Sequence, residues 1–281
     1  VAGTLDIDRR WIYLAMALLV VGLYAFGMSR PLAPAPESQR YFDTIEKLPE
    51  GSIVLFSADF DPASAAELKP MFHASLHHMF RRNLRVVSVC TWPAAPPFAR
   101  AAFREIAPQY GKVYGRDWVE LGFLAGDDVA LGQIGQSLRS AYPQDKVNKA
   151  PYDDFPLLRD VGDSCRGIAL LVTISAGFPG ILEWIPQLTS RYGVPVVAGT
   201  TAVQTPSLYP YYPEQLLGFL GAITGATEYL QLVAPGTPAM AGLRDECQRR
   251  MLVQEWSHVL IIGLIVLGNV AYFASRRRRA A

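Results

Sequence analysis

The 281-residue sequence predicts an α/β protein: a doubly wound, mostly parallel five-stranded sheet of Rossmann-like type, flanked by N- and C-terminal transmembrane helices. Two observations carry this expectation. Charge-free apolar stretches of membrane-spanning length sit at both ends, and between them short apolar strands alternate with segments of helical periodicity. Composition agrees, with 51% hydrophobic and only 18% charged residues, because the apolar excess is concentrated in the two end stretches.

Residues 1–30 are expected to form the first anchor. Positions 11–29 carry no charge and would extend about 28 Å as a helix at 1.5 Å per residue, the depth of a bilayer core. A cleaved secretory signal is the competing reading, since Arg9 and Arg10 precede the run and Ala33, Pro34 and Ala35 resemble a cleavage site. The apolar core is longer than a usual signal core, which favours retention as an anchor. Residues 256–281 form the second span and its tail, with Trp256, Tyr272 and Phe273 as aromatic flanks and His258 and Asn269 as the strongly polar members. Arginines lie before the first span and, at 276–279, directly after the second, so both termini are expected in the cytoplasm of a cell-membrane protein and the middle outside it. Arg249 and Arg250 are discordant but fewer. A net charge of +1 gives no electrostatic case for nucleic acid.

Between the spans, residues 31–50 read as a proline-rich linker leading to a short helix at 41–47. The α/β domain covers 51–233. Strands are expected at 52–57, 84–90, 118–123, 168–174 and 194–198, and helices at 62–82, 97–110, 129–142 and 178–192. Asp61 before Pro62 is a helix-start signal, Asp127 or Asp128 caps the third helix, and Gly193 closes the last. Right-handed crossovers then give the order 3-2-1-4-5. Residues 215–233 are read as a buried helix, because 216–227 are uncharged but too short to span; a re-entrant membrane segment is the alternative. Residues 234–255 would extend the second span outward as a stalk.

In such a sheet ligands sit beyond the strand carboxyl ends, where strand order reverses. That rule brings together Asp59 and Asp61 with Ser175 and Gly177, and rims them with Thr91, Asp127, Asp128, Thr200 and Thr201. Asp59 and Asp61 could hold a hard cation, yet a cap and hydrogen bonds explain them more simply. Ser175 sits at an elbow-like position without the G-x-S-x-G pattern, and phosphate-loop glycine patterns do not occur. His73 and His77 are four residues apart, as zinc ligands sometimes are, but no third ligand follows by spacing, and His78 fits a polar helix edge. No catalytic residue, metal or cofactor is therefore expected. Cys90, Cys165 and Cys247 lack metal or framework spacing; one bridge is possible on count, while burial as small apolar groups is preferred. The loop carrying Tyr209, Tyr211 and Tyr212 among prolines suits a contact surface or a cover for its own domain, and Gly218, Gly221 and Gly225 would allow close approach of the sheet or of a neighbouring subunit.

The sequence at 191–203 (RYGVPVVAGTTAV), with 208–211 (LYPY) and 225–229 (GATEY), resembles uncharacterised prokaryotic two-pass membrane proteins with an α/β extracytoplasmic domain. That resemblance implies architecture and carries no activity. The expectation is a binding or scaffold subunit of a larger membrane assembly, contacting the lipid bilayer and other subunits as a homo- or hetero-oligomer. The alternative is a membrane-tethered enzyme or small-ligand sensor, which would need an open crevice with converging polar groups.

Overall fold

A computed structural model describes residues 8–26 and 32–280, with side chains as far as Phe273. Residues 27–30 of the expected anchor, Pro31 of the expected linker and the side chains of the arginines at 276–279 lie outside the described residues. The chain divides into two compact units: Leu32–Arg244, and the two chain ends, Val1–Pro31 with Asp245–Ala281.

Leu32–Arg244 is built on one parallel sheet of six strands: β1 (Ile53–Asp59), β2 (Arg85–Cys90), β3 (Trp118–Phe123), β4 (Leu170–Ser175), β5 (Val196–Thr200) and β6 (Gly218–Gly221). Their order is β3-β2-β1-β4-β5-β6, so strand order reverses between β1 and β4. All seven residues of β1 are buried, as a strand covered on both faces requires. On one face Leu55, Val89, Leu171 and Val196 meet Leu131, Ile134, Ile181, Trp184 and Leu188. On the other, Phe56 stacks on Phe72 at 4.2 Å between ring centroids, and Phe72 meets Phe103 edge-on.

The sheet has six strands, not the five expected. Residues 215–233 do not form one helix; β6 pairs with β5 from Val197↔Gly218 to Thr200↔Gly221, and a helix follows at Ala222–Val233. Two glycines within four residues disfavour a helix there, and the open edge of β5 supplies unpaired backbone groups that the segment satisfies. Gly218 also packs so tightly on the helix Pro36–Glu46 that a Cβ would lie 2.3 Å from the Tyr41 amide nitrogen.

Helix boundaries shift for local reasons. The helix expected from 41 begins at Pro36, whose missing N–H is harmless in a first turn. The next begins at Ala65, because residues 61–64 fold as a turn in which the Ser64 N–H and O–H donate to Asp61 Oδ1 at 3.0 and 2.7 Å. Residues 129–142 split into Asp127–Gln136 and Leu138–Ala141 where Ser137 turns extended and its hydroxyl accepts the Ser140 N–H. The helical stretch at 181–192 contains a π-helical turn, Ile185–Thr189, around Pro186, and ends at left-handed Gly193 as expected.

The other unit holds the helices Arg9–Phe26 and Ala241–Ala280, both with segments long and apolar enough to cross a membrane. Half-buried Ile12, Met16, Leu19 and Leu23 on the first, and Ser257, Leu260, Leu264 and Ala271 on the second, recur at the three-to-four spacing of packed helices. The Arg249 guanidinium lies 5.8 Å from the Tyr24 ring centre, while Leu18, Leu19 and Leu23 gather around Trp256. Stepping back along the first helix thus steps forward along the second, so the pair is antiparallel.

Candidate functional site

At the carboxyl ends of β1 and β4, Asp59 pairs in register with Ser175, and Ser175 with Thr200 of β5. All three are fully buried, Thr91 and Thr201 nearly so. Asp59 Oδ1 accepts the Thr91 N–H at 2.6 Å and the Thr91 hydroxyl at 2.7 Å, and the Ser57 hydroxyl donates to Oδ2. Ser57 and Asp59 share a face because strand side chains alternate. Burial pushes the Asp59 carboxyl above its ordinary value, against these hydrogen bonds, which favour the charged form. Trp184 lies beside it, its buried indole N–H favouring the charged carboxyl without reaching full hydrogen-bond geometry, and the buried Thr173 hydroxyl is without a partner.

Loop residues 176–180 close over this group. The Ala176 N–H donates to the Asp59 carbonyl at 2.9 Å, and the Ser175 hydroxyl oxygen accepts the Ile181 N–H at 3.3 Å. Gly180 approaches so closely that a Cβ would sit 2.3 Å from the Gly177 carbonyl oxygen. Trp92, from the loop after β2, lies over Gly177 and donates its indole N–H to the Pro179 carbonyl at 2.9 Å. The position where an open parallel sheet receives a ligand is here filled by the chain's own side chains and backbone.

Comparison with known proteins finds no matching family model and no significant match among curated proteins. Function is therefore read from the geometry of this edge and of the terminal helices.

The structure brings together Asp59, Thr91, Ser175, Gly177 and Thr200. Thr200 donates to Gln204 Oε1 at 2.8 Å, and the Thr201 carbonyl accepts from Thr205. Asp61 stays outside as the acceptor of its own turn, where the Ser64 hydroxyl and N–H hold its carboxyl below the ordinary value. Asp127 and Asp128 are exposed at the start of the helix after β3. Tyr209 and Tyr212 set their rings edge-on to Phe219 of β6, and Tyr211 and Tyr212 pack against the core, so the tyrosine loop covers the sheet's edge strand. Gly218 and Gly225 are buried inside the domain and Gly221 packs against Thr205. Sequence reasoning missed Ser57, Trp92 and Trp184. Ser57 was legible as the same-face neighbour of Asp59; the two indoles carry no local signal.

His77 and His78 lie near the far end of the helix Ala65–Arg81, towards the opposite end of the sheet. His78 Nδ1 is 2.8 Å from the Tyr229 hydroxyl and Nε2 is 2.7 Å from Glu46 Oε2, so the neutral ring accepts from Tyr229 and donates to Glu46. His77 Nδ1 bonds the Tyr110 hydroxyl at 2.9 Å. Among the described residues no three histidine, cysteine or carboxylate side chains converge as a metal site, and all three cysteines are free and buried.

Two predictions follow from these groups. Asp59→Ala leaves the Thr91 N–H and the Ser57 and Thr91 hydroxyls without their acceptor at about 1–3 kcal/mol for each stranded group. Thermal unfolding of the membrane-reconstituted chain should drop sharply for Asp59→Ala and little for Asp59→Asn, which keeps an acceptor; equal losses would contradict this role. Burial brings His73, His77 and His78 down to about 4. The unfolded chain, with histidines near 6.5, therefore takes up protons first, and stability falls as pH drops from about 6.5 towards 4. His78→Gln should flatten part of that fall when melting temperature is followed across the window; an unchanged slope would show that His78 is not held neutral.

Proposed function

We propose that this protein is a membrane-anchored binding or scaffold subunit of a larger membrane assembly, with both termini in the cytoplasm of a cell-membrane location and the α/β domain outside it. One observation carries the reading. The ligand position at the β1/β4 reversal is filled, and the loops around it turn apolar side chains outward. Val129 after β3, Phe178 after β4 and Val203 after β5 are 62%, 61% and 90% exposed. A filled crevice beneath an apolar rim suits contact with a macromolecule better than capture of a small molecule.

The chain connections leave from the other edge. The Leu32 N–H bonds Gln231 near the end of the helix that returns from β6, and Gly236 lies against Arg81, just before β2 begins. Orientation draws on the antiparallel pairing of the terminal helices, which sets Arg9 and Arg10 at the same end as the basic tail, the pattern of a cytoplasmic face. This plan is also that of the uncharacterised prokaryotic two-pass proteins the sequence resembles.

A membrane-tethered enzyme or small-ligand sensor is the second reading, and Asp59 favours it: a buried acid whose pKa burial raises, beside the Trp184 indole N–H. It requires residues 176–180 to open.

With all native cysteines buried, Val203→Cys offers one accessible thiol. A membrane-impermeant maleimide should label it from outside intact cells, and Phe178→Asp with Val203→Asp should shrink the detergent-extracted particle on native gels at unchanged melting temperature. Labelling only from the cytosolic face would overturn the orientation, and an unchanged particle would overturn the scaffold role of the rim.

A further inference from the structure

The polar groups of the second apolar span fall on one stripe. His258 and Asn269 are eleven residues apart, which returns a helix to within roughly 20° of the same direction. With Ile262 and Ile265 they follow the alternating four-and-three spacing of a left-handed helix seam, and all four are exposed. The seam with the N-terminal helix uses different positions, Ser257, Leu260, Leu264 and Ala271, so the stripe is a face the chain's own pairing leaves open. Asn269 donates one amide N–H to the Ile265 carbonyl at 2.9 Å. Among the described residues its second N–H and its Oδ1 meet no partner, nor does the His258 ring. In hydrocarbon, where water cannot serve, such groups seek partners on another helix.

We propose that the occupant of this stripe is the same stripe of a second copy of the chain, packed in parallel, with Asn269 bonded to Asn269 across the pair. This rests on the reading that residues 256–273 cross a bilayer, and it names one partner within the proposed assembly. Three features select a second copy. A carboxamide carries both donor and acceptor, so two of them at one depth satisfy each other. Copies inserted with the same topology lie parallel, and a two-fold axis along the membrane normal sets each stripe residue opposite itself. No charged side chain lies on the stripe between 258 and 272, so self-pairing within that stretch meets no like-charge repulsion; the next positions of the same spacing, Glu255 and Arg276, fall beyond its two ends.

Oxidative cross-linking of the full chain in native membranes tests this. Ile262→Cys and Ile265→Cys should give a disulfide-linked band of twice the chain mass, while Leu267→Cys and Val270→Cys, off the stripe, should give at most a tenth as much. Adding Asn269→Leu, which only raises the hydrophobicity of the span, should cut the Ile262→Cys dimer at least five-fold, and Asn269→Gln should restore part of it. Equal cross-linking at all four positions, absence of the doubled band, or a dimer indifferent to Asn269→Leu would each overturn the proposal. A stripe-specific adduct of another mass would also overturn it while leaving the scaffold reading intact. Loss of the chain from carbonate-washed membranes would instead reject the span itself.

Discussion

A parallel sheet has to be covered on both faces, and nearly everything in the larger unit answers that constraint. β1 sits at the centre, bonded to β2 on one side and β4 on the other, with all seven residues buried. Helices after β1 and β2 cover the Phe56 side, and those after β3 and β4 cover the Leu55 side. The connections leaving β1 and β4 must therefore diverge, and their divergence opens a gap at the strand carboxyl ends. Many α/β proteins leave that gap for a ligand. In this chain Asp59 gathers the Ser57 and Thr91 donors beneath it, while Trp92 and the loop at 176–180 lie across the top.

Polar groups buried at the two ends of the sheet obey the same rule by different means. At the carboxyl end one acid collects three donors, one from its own strand and two from Thr91, the residue that follows β2. At the amino end His78 bridges Tyr229 and Glu46, and Arg81 donates to the same Glu46 oxygen at 3.0 Å, joining three helices that cover one face. Each network converts side chains that would otherwise be isolated in an apolar interior into cross-links between elements. Both fix loops and helices relative to the sheet.

Much of this architecture was legible. Uncharged β-branched runs such as 168–174 and glycine stops such as Gly193 announce strands and helix ends through local physics, and the alternation of the two elements fixes the parallel, doubly wound plan. The central four strand neighbours follow from chirality. What failed to show was tertiary in origin. β6 is four residues with two glycines, stabilised by the open edge of β5 and by contact with Tyr41, neither of which leaves a mark in its own sequence. The helix at Pro36–Glu46 was obscured by prolines that read as linker but serve as a helix start. At the strand ends Asp59, Thr91, Ser175 and Thr200 lie beside one another, the neighbourhood that the strand-end rule describes. It could not show that the space between them is filled, because Trp92 and Trp184 come from distant positions and only the fold brings them there.

Whether that edge is sealed decides between a contact protein and a ligand-binding one. Hydrogen–deuterium exchange of the membrane-embedded chain, without added ligand, reads it directly. If the loops fill the gap as described, the amides of Thr91, Ala176 and Ile181 exchange as slowly as those of β1 and β4. Rapid exchange at 176–181 beside a protected sheet would mean a lid over an open site, and would contradict the reading of this edge as a closed contact surface.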